Sequence, residues 1–182
     1  LTPPGDNAFE FYTAVLKIDP QNAHANEQIR QMLKIYREWG DKAYDTQPDS
    51  VRARESYEKY LTIAEYLNIQ DAVEDVTNRL KILTLLKEAE DVFDPDRFNF
   101  IPKAENFETY QSNTEKALSY YKDILDVDPQ NIYAQARINR IITTTVKWGD
   151  YAYQQQWYIT PVGRSAFDYY KLALKLDPQR QQ

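Results

Sequence analysis

The chain has 182 residues, with 22 Lys and Arg against 28 Asp and Glu, one His and no Cys; its formal net charge is -6 and its mean hydropathy -0.73. That length buries a core without disulfide or metal staples. The missing thiols and the lone imidazole exclude thiolate chemistry, multi-His metal sites and His-based triads, and the negative charge is the wrong sign for general nucleic-acid binding.

Taken in chain order, hydrophobic periodicity predicts seven helices. Phe9, Tyr12, Val15 and Leu16 follow helical spacing between an Asp6 or Asn7 cap and Asp19-Pro20, because the residue before proline leaves the α region. Asn22 caps the second helix, whose stripe is Ile29, Leu33, Tyr36, Gly40, Ala43 and Tyr44, closing before Pro48. The third starts near Ser50 with Tyr57, Tyr60, Leu61 and Ala64 inward. The fourth starts at Asp71, carries Val76, Leu80, Leu83, Leu86, Ala89 and Phe93, and stops at Asp94-Pro95. Periodicity breaks over about 95–112, an irregular insertion of a length that is often functional. Helices resume at Asn113 with Ala117, Tyr121, Ile124 and Leu125, and at Asn131 with Ile138, Ile141, Ile142, Trp148 and Ala152. The last follows Pro161 with Ala166, Phe167, Tyr170, Ala173 and Leu174. The β-branched run from Ile141 to Val146 suits a strand locally, but its repeat counterpart is helical in pattern, so helix is expected there too.

The chain repeats itself. Asp19-Pro20-Gln21-Asn22 recurs as Asp128-Pro129-Gln130-Asn131, and Trp39-Gly40-Asp41 as Trp148-Gly149-Asp150, both at an offset of 109 residues. The same offset carries Ala8, Tyr12, Leu16, Ala43 and Tyr44 onto Ala117, Tyr121, Leu125, Ala152 and Tyr153. A weaker middle copy, Glu88-Ala89-Glu90-Asp91-Val92-Phe93-Asp94, aligns with the segment starting at Trp39. One domain over 1–182 is expected, with an internal duplication of about 7–68 onto 113–178. The repeating unit has the length of a helical pair.

Three stretches resemble the second helix of the tetratricopeptide repeat: Ala8-x3-Tyr12-x2-Val15-x4-Pro20, Ala117-x3-Tyr121-x2-Ile124-x4-Pro129 and Ala166-x3-Tyr170-x2-Ala173-x4-Pro178. Trp39-Gly40 and Trp148-Gly149 resemble the large–Gly pair of its first helix. Small residues let paired helices approach, the aromatic fills the gap, and proline enforces the turn. The resemblance implies an all-α, right-handed α-solenoid of about seven antiparallel helices. Gly40 and Gly149 each lie 20 residues beyond the preceding proline, so the first-type helices are longer than the family standard. The opening segment is similar to bacterial repeat domains set beside a membrane anchor, which implies a periplasmic or membrane-tethered parent ahead of a cytoplasmic one.

The same resemblance implies a peptide- or helix-binding concave face lined by the first-type helices. Register on Gly40 places Lys34, Arg37, Asp41 and Tyr44 there; register on Gly149 places Thr143, Val146, Asp150 and Tyr153; register on Ala89 places Leu83, Leu86, Glu90 and Phe93. Asp41 and Asp150 stand where the carboxylate-clamp form of the groove has Asn, so acidic C-terminal tails are expected to be repelled and a basic or aromatic segment favoured. Alternatively, these acids are solvated or pair with Arg37 and Lys147. Tyr12, Tyr57, Tyr60, Tyr121 and Tyr170 are expected in the core. Tyr44, Tyr151, Tyr153, Trp157 and Tyr158 form a second group that either packs under the turn after the long helix or serves as a binding hot spot. His24 reads as a surface residue.

The expected work is therefore protein–protein interaction. Self-assembly or a spacer role in a larger membrane-anchored or enzyme-containing protein is one alternative, and a small-molecule sensor using the insertion is another. Catalytic, cofactor and metal sites are not expected, nor is membrane insertion, since no stretch approaches the roughly 20 apolar residues of a membrane helix.

Overall fold

The computed structural model describes residues 7–46, 51–70, 73–94 and 106–178. Among these residues the chain is all-helical: α1 (Ala8–Ile18), α2 (Ala23–Thr46), α3 (Val51–Tyr66), α4 (Val73–Val92), α5 (Phe107–Val127), α6 (Ile132–Gln154) and α7 (Ala166–Leu176), with no strand. The run from Ile141 to Val146 lies inside α6. No helix of the described residues is long and apolar enough to cross a membrane. The caps expected at Ser50 and Asp71 and the insertion over 95–105 lie outside the described residues.

The duplicated Asp-Pro-Gln-Asn turns fold alike. The Asn22 side chain accepts from Ala25 N at 3.0 Å and that of Asn131 from Ala134 N at 3.0 Å. Asp19 accepts from Gln21 N at 3.2 Å, as Asp128 does from Gln130 N at 3.2 Å. Each turn thus satisfies amide donors that a helix start leaves open, worth about 1 kcal/mol per cap. Asn7 caps α1 through Glu10 N at 3.1 Å. Ser165 and Asp168 close a capping box on α7.

α5 starts at Phe107, six residues before the expected Asn113. Gln111, Ser112 and Asn113 compete for backbone hydrogen bonds and read as loop. The burial of Phe107 and Tyr110 on the same helical face overrides that preference. Residues 107–112 therefore belong to a helix rather than to an irregular insertion.

The chain divides into two compact units on either side of the Thr84–Leu85 bond, within α4. In the first, α2 contacts both α1 and α3. Leu16, Ala25, Ile29 and Ile63 form one cluster, and Ala53, Tyr57, Tyr60, Ala64, Val76 and Leu83 another. In the second unit α5, α6 and α7 contact one another around an aromatic core. Tyr110 meets Phe93 at 5.4 Å and Trp148 at 4.8 Å between ring centroids, and Tyr169 meets Phe107 at 5.3 Å. Each such ring contributes about 1.5–3 kcal/mol by burial. Tyr57, Tyr60 and Tyr121 are buried as expected. In α7 the fully buried ring is Tyr169, and Tyr170 is half-buried, as is Tyr12 in α1.

Candidate functional site

The repeated Trp-Gly-Asp segment builds a contact between a first-type helix and the helix that follows it. A Cβ on Gly40 would fall 2.5 Å from Cδ1 of Tyr57, and one on Gly149 would fall 2.6 Å from Cε1 of Tyr170. Only glycine lets these rings lie against the helix backbone. The hydroxyl then reaches the next residue: Tyr57 donates to Asp41 at 2.9 Å and Tyr170 to Asp150 at 2.6 Å. Glycine, acid and tyrosine form one lock, made twice.

The two locks sit in different electrical settings. Asp41 accepts from Arg37 Nε at 2.9 Å, and Arg79 of α4 lies 3.5 Å from the same carboxylate. Arg37 and Arg79 also pair with Asp75. Burial opposes the charge on both arginines, but hydrogen bonding to Asp41, Asp75 and Tyr57 outweighs it, so both hold their protons more firmly than usual. Burial, aided by Asp41, pushes the Tyr57 hydroxyl above its ordinary range. Of the two readings of Asp41, its contacts match the paired one: two guanidinium groups compensate its charge. The Arg37–Asp41 pairing was foreseen. Arg79 and Asp75 were not, although their i,i+4 spacing on α4 is the kind that shares one helix face. Lys34 is exposed and lies 3.8 Å from Glu38. Tyr44 is half-buried, packed on the Tyr57–Val76 cluster with the Arg79 guanidinium 5.0 Å above its ring.

In the second unit Glu90 is a half-buried acceptor for Tyr133 and for Arg137 at 2.9 Å. It occupies the acid position of the middle copy, but Tyr121, the matching tyrosine, keeps a buried hydroxyl with no hydrogen bond among the described residues. Phe93 departs from its expected place on the concave face: at 2% exposure it is core, edge-on to Tyr110. Leu83 and Leu86 are buried as well. Asp150 is exposed.

The connection from α6 to α7 is ordered by its own backbone. Trp157 N bonds Ala152 O at 2.9 Å and Gln156 N bonds Tyr153 O at 2.9 Å, with Gln156 at φ 63°. This left-handed stop turns the chain out of α6. Ala166 N and Phe167 N then bond the carbonyls of Trp157 and Tyr158 at 2.7 and 3.0 Å. The Arg164 guanidinium stacks 4.7 Å from the Trp157 ring. Tyr151 stands edge-on to Trp157 at 6.1 Å and Tyr153 edge-on to Tyr158 at 5.2 Å. Tyr153 is 58% and Tyr158 50% exposed. Of the two readings of these aromatics, Tyr44 packs, Trp157 is half-buried under Arg164, and Tyr151, Tyr153 and Tyr158 face solvent. Ile159 and Val162 are exposed beside them in the chain, a patch that the run Trp157-Tyr158-Ile159, with Val162 three residues on, could have signalled. Among the described residues no cluster of His, Asp and Glu is able to hold a metal ion.

No protein-family model, no curated protein and no solved structure matches the chain.

Proposed function

We propose that the chain is a protein-binding helical-repeat module of the tetratricopeptide kind, its helices antiparallel and stacked as a right-handed solenoid. On this reading it binds a basic or aromatic peptide segment in preference to an acidic C-terminal tail. The twice-made glycine–acid–tyrosine lock and the twice-made Asp-Pro-Gln-Asn turn support the repeat, because each reproduces a whole contact rather than a composition. The observation that carries the binding function is the exposed Tyr153–Tyr158 pair on an ordered connection. Rings already held in place lose little entropy on binding, and amphipathic aromatics are frequent anchors of interfaces. Asp150 lies three residues before Tyr153, so one helix face offers an acid and a ring together, a combination that suits a cationic side chain. In the first unit the compensated Asp41 is assigned to holding the fold.

The test is a peptide library screened against the protein and its Tyr153→Ala/Tyr158→Ala variant. Basic and aromatic peptides are expected among the binders, with at least tenfold weaker binding by the variant, since two interface anchors contribute about 1–2 kcal/mol each. Binders that the variant retains, or a library dominated by acidic C-terminal tails, overturn the reading. A second reading, self-assembly, is favoured by Phe167 and Leu174, 57% and 45% exposed on α7; light scattering that shows one monomeric mass at all concentrations eliminates it.

A further inference from the structure

The acids of the first and middle copies each hold an arginine in the same way. In the first copy the Arg79 guanidinium lies 5.0 Å from the centre of the Tyr44 ring and 3.5 Å from the Asp41 carboxylate, and it donates to the Tyr57 oxygen at 3.2 Å. In the middle copy the Arg137 guanidinium lies 5.0 Å from the centre of the Tyr133 ring, and it donates to Glu90 at 2.9 Å and to the Tyr133 oxygen at 2.7 Å. A carboxylate, a tyrosine ring and a phenol oxygen thus recur around one guanidinium. The set suits arginine rather than lysine. A flat guanidinium rests on a ring while its edge donates to two oxygens, whereas an ammonium is a compact point of charge.

The third copy repeats the oxygens and the ring. Asp150 and Tyr153 stand three residues apart on α6, as Asp41 and Tyr44 do on α2. Tyr170 donates to Asp150 at 2.6 Å, as Tyr57 does to Asp41 at 2.9 Å. Tyr153 is near enough to act on the Tyr170 hydroxyl by charge. Val146 stands where Arg37 pairs with Asp41 in the first copy. Among the described residues Asp150 is met by the Tyr170 hydroxyl and by no arginine. Asp150 is exposed, as is Tyr153 at 58%, so the position that a guanidinium takes in the other two copies opens here to solvent.

We propose that Asp150, Tyr153 and Tyr170 form a binding site for an arginine side chain, whose guanidinium lies on the Tyr153 ring and donates to Asp150 and to the Tyr170 oxygen. The chemistry of the occupant follows from Arg79 and Arg137, which fill the corresponding sets. The site recognises the group, and its carrier is another protein or a further part of the same one. This rests on the reading that the Tyr153–Tyr158 surface binds a basic or aromatic segment, and it narrows the cation to arginine.

The probes are the Nα-acetyl amides of arginine, lysine and citrulline, titrated into the full chain with ring-labelled tyrosines and followed by nuclear magnetic resonance. The Tyr153 and Tyr170 signals are identified by their loss in Tyr153→Phe and Tyr170→Phe. The arginine probe is expected to shift both signals saturably, in about the millimolar range for one side chain. The lysine probe, one hydrogen bond short, is expected to bind about fivefold more weakly, and the uncharged citrulline probe to shift neither signal. Asp150→Asn keeps an acceptor for Tyr170 and should weaken the arginine probe about tenfold, the loss of a hydrogen bond to a charged group. Tyr153→Leu, read at Tyr170, should weaken it about threefold, the loss of the ring contact. The carrier is read from Arg97→Gln/Arg180→Gln, which removes the two arginines outside the described residues. Tighter binding of the probe by that variant identifies an arginine of this chain as occupant, and unchanged binding identifies one from elsewhere. A saturable shift in neither protein, or one indifferent to Asp150→Asn, overturns the proposal. Equal affinity for arginine and lysine also overturns it and leaves the basic-or-aromatic reading standing, since that reading fails on the peptide library instead.

Discussion

Asp41 and Asp150 take a tyrosine hydroxyl in the same way, beside the same glycine, yet one is surrounded and the other is not. Asp41 shares its charge with Arg37 and Arg79, and its tyrosine is fully buried. Asp150 is exposed, and its tyrosine is half-buried. The preceding tryptophan differs in the same units but in the opposite sense: Trp39 is 58% exposed and Trp148 is 6% exposed. One tripeptide thus places its residues identically on a helix while the neighbouring helices decide which of them is covered. The lock in the first unit reads as structural, and the one in the second leaves its acid available to a partner.

Substitution of the glycines tests this difference most severely. Gly40→Leu forces the buried Tyr57 ring to move and is expected to cost about 3 kcal/mol, the upper range of overpacking. Gly149→Leu meets a ring that can swing toward solvent and is expected to cost about 1 kcal/mol, partly offset by the better helix propensity of leucine. Urea unfolding followed by circular dichroism measures both, and equal losses would erase the distinction between the units.

A smaller effect is expected from the acids. Asp41→Ala leaves Arg37 and Arg79 with Asp75 as their one shared carboxylate among the described residues and should cost about 2 kcal/mol, as for hydrogen bonds to charged groups. Asp150→Ala should cost less than about 1 kcal/mol, since an exposed pair is screened. A rise in salt should narrow the gap, and a gap unchanged in molar salt would argue that charge compensation is not what separates the two locks.

The smallest expected effect is alkaline. Burial, the hydrogen bond to Asp150 and its charge push the Tyr170 hydroxyl up from 10.0 to about 12. The proton is therefore held more tightly in the folded state than in the unfolded one. Its contribution to stability is full below pH 10.0 and is lost as pH rises through about 12. Tyrosinate absorbance of the wild type minus that of Tyr170→Phe should titrate near that upper value, and Asp150→Asn should bring it down. A Tyr170 that ionises at its ordinary value in the wild type would show that the contact with Asp150 is not maintained in solution.

Helix boundaries were legible wherever a side chain announces them. Asn22 and Asn131 cap as their residue type requires, and Asp19-Pro20 and Asp128-Pro129 end helices because proline excludes the preceding residue from the α region. The start of α5 was not legible, because Phe107 and Tyr110 are held by rings that lie far along the chain, on Phe93, Trp148 and Tyr169. Among the candidate site residues, Arg37 and Asp41 pair, as one of the two readings allowed, but the compensating Arg79 comes from another helix. Phe93 was misplaced because a helical stripe does not say which of its neighbours will cover it.

Local rules therefore determine that this chain is helical, where most of its helices begin and end, and that a Gly-acid pair is used twice, since these depend on dihedral preferences and on groups within one turn. Burial and charge compensation depend on helices distant in sequence. Only the tertiary structure decides that Asp41 is neutralised and that Asp150, Tyr153 and Tyr158 face solvent.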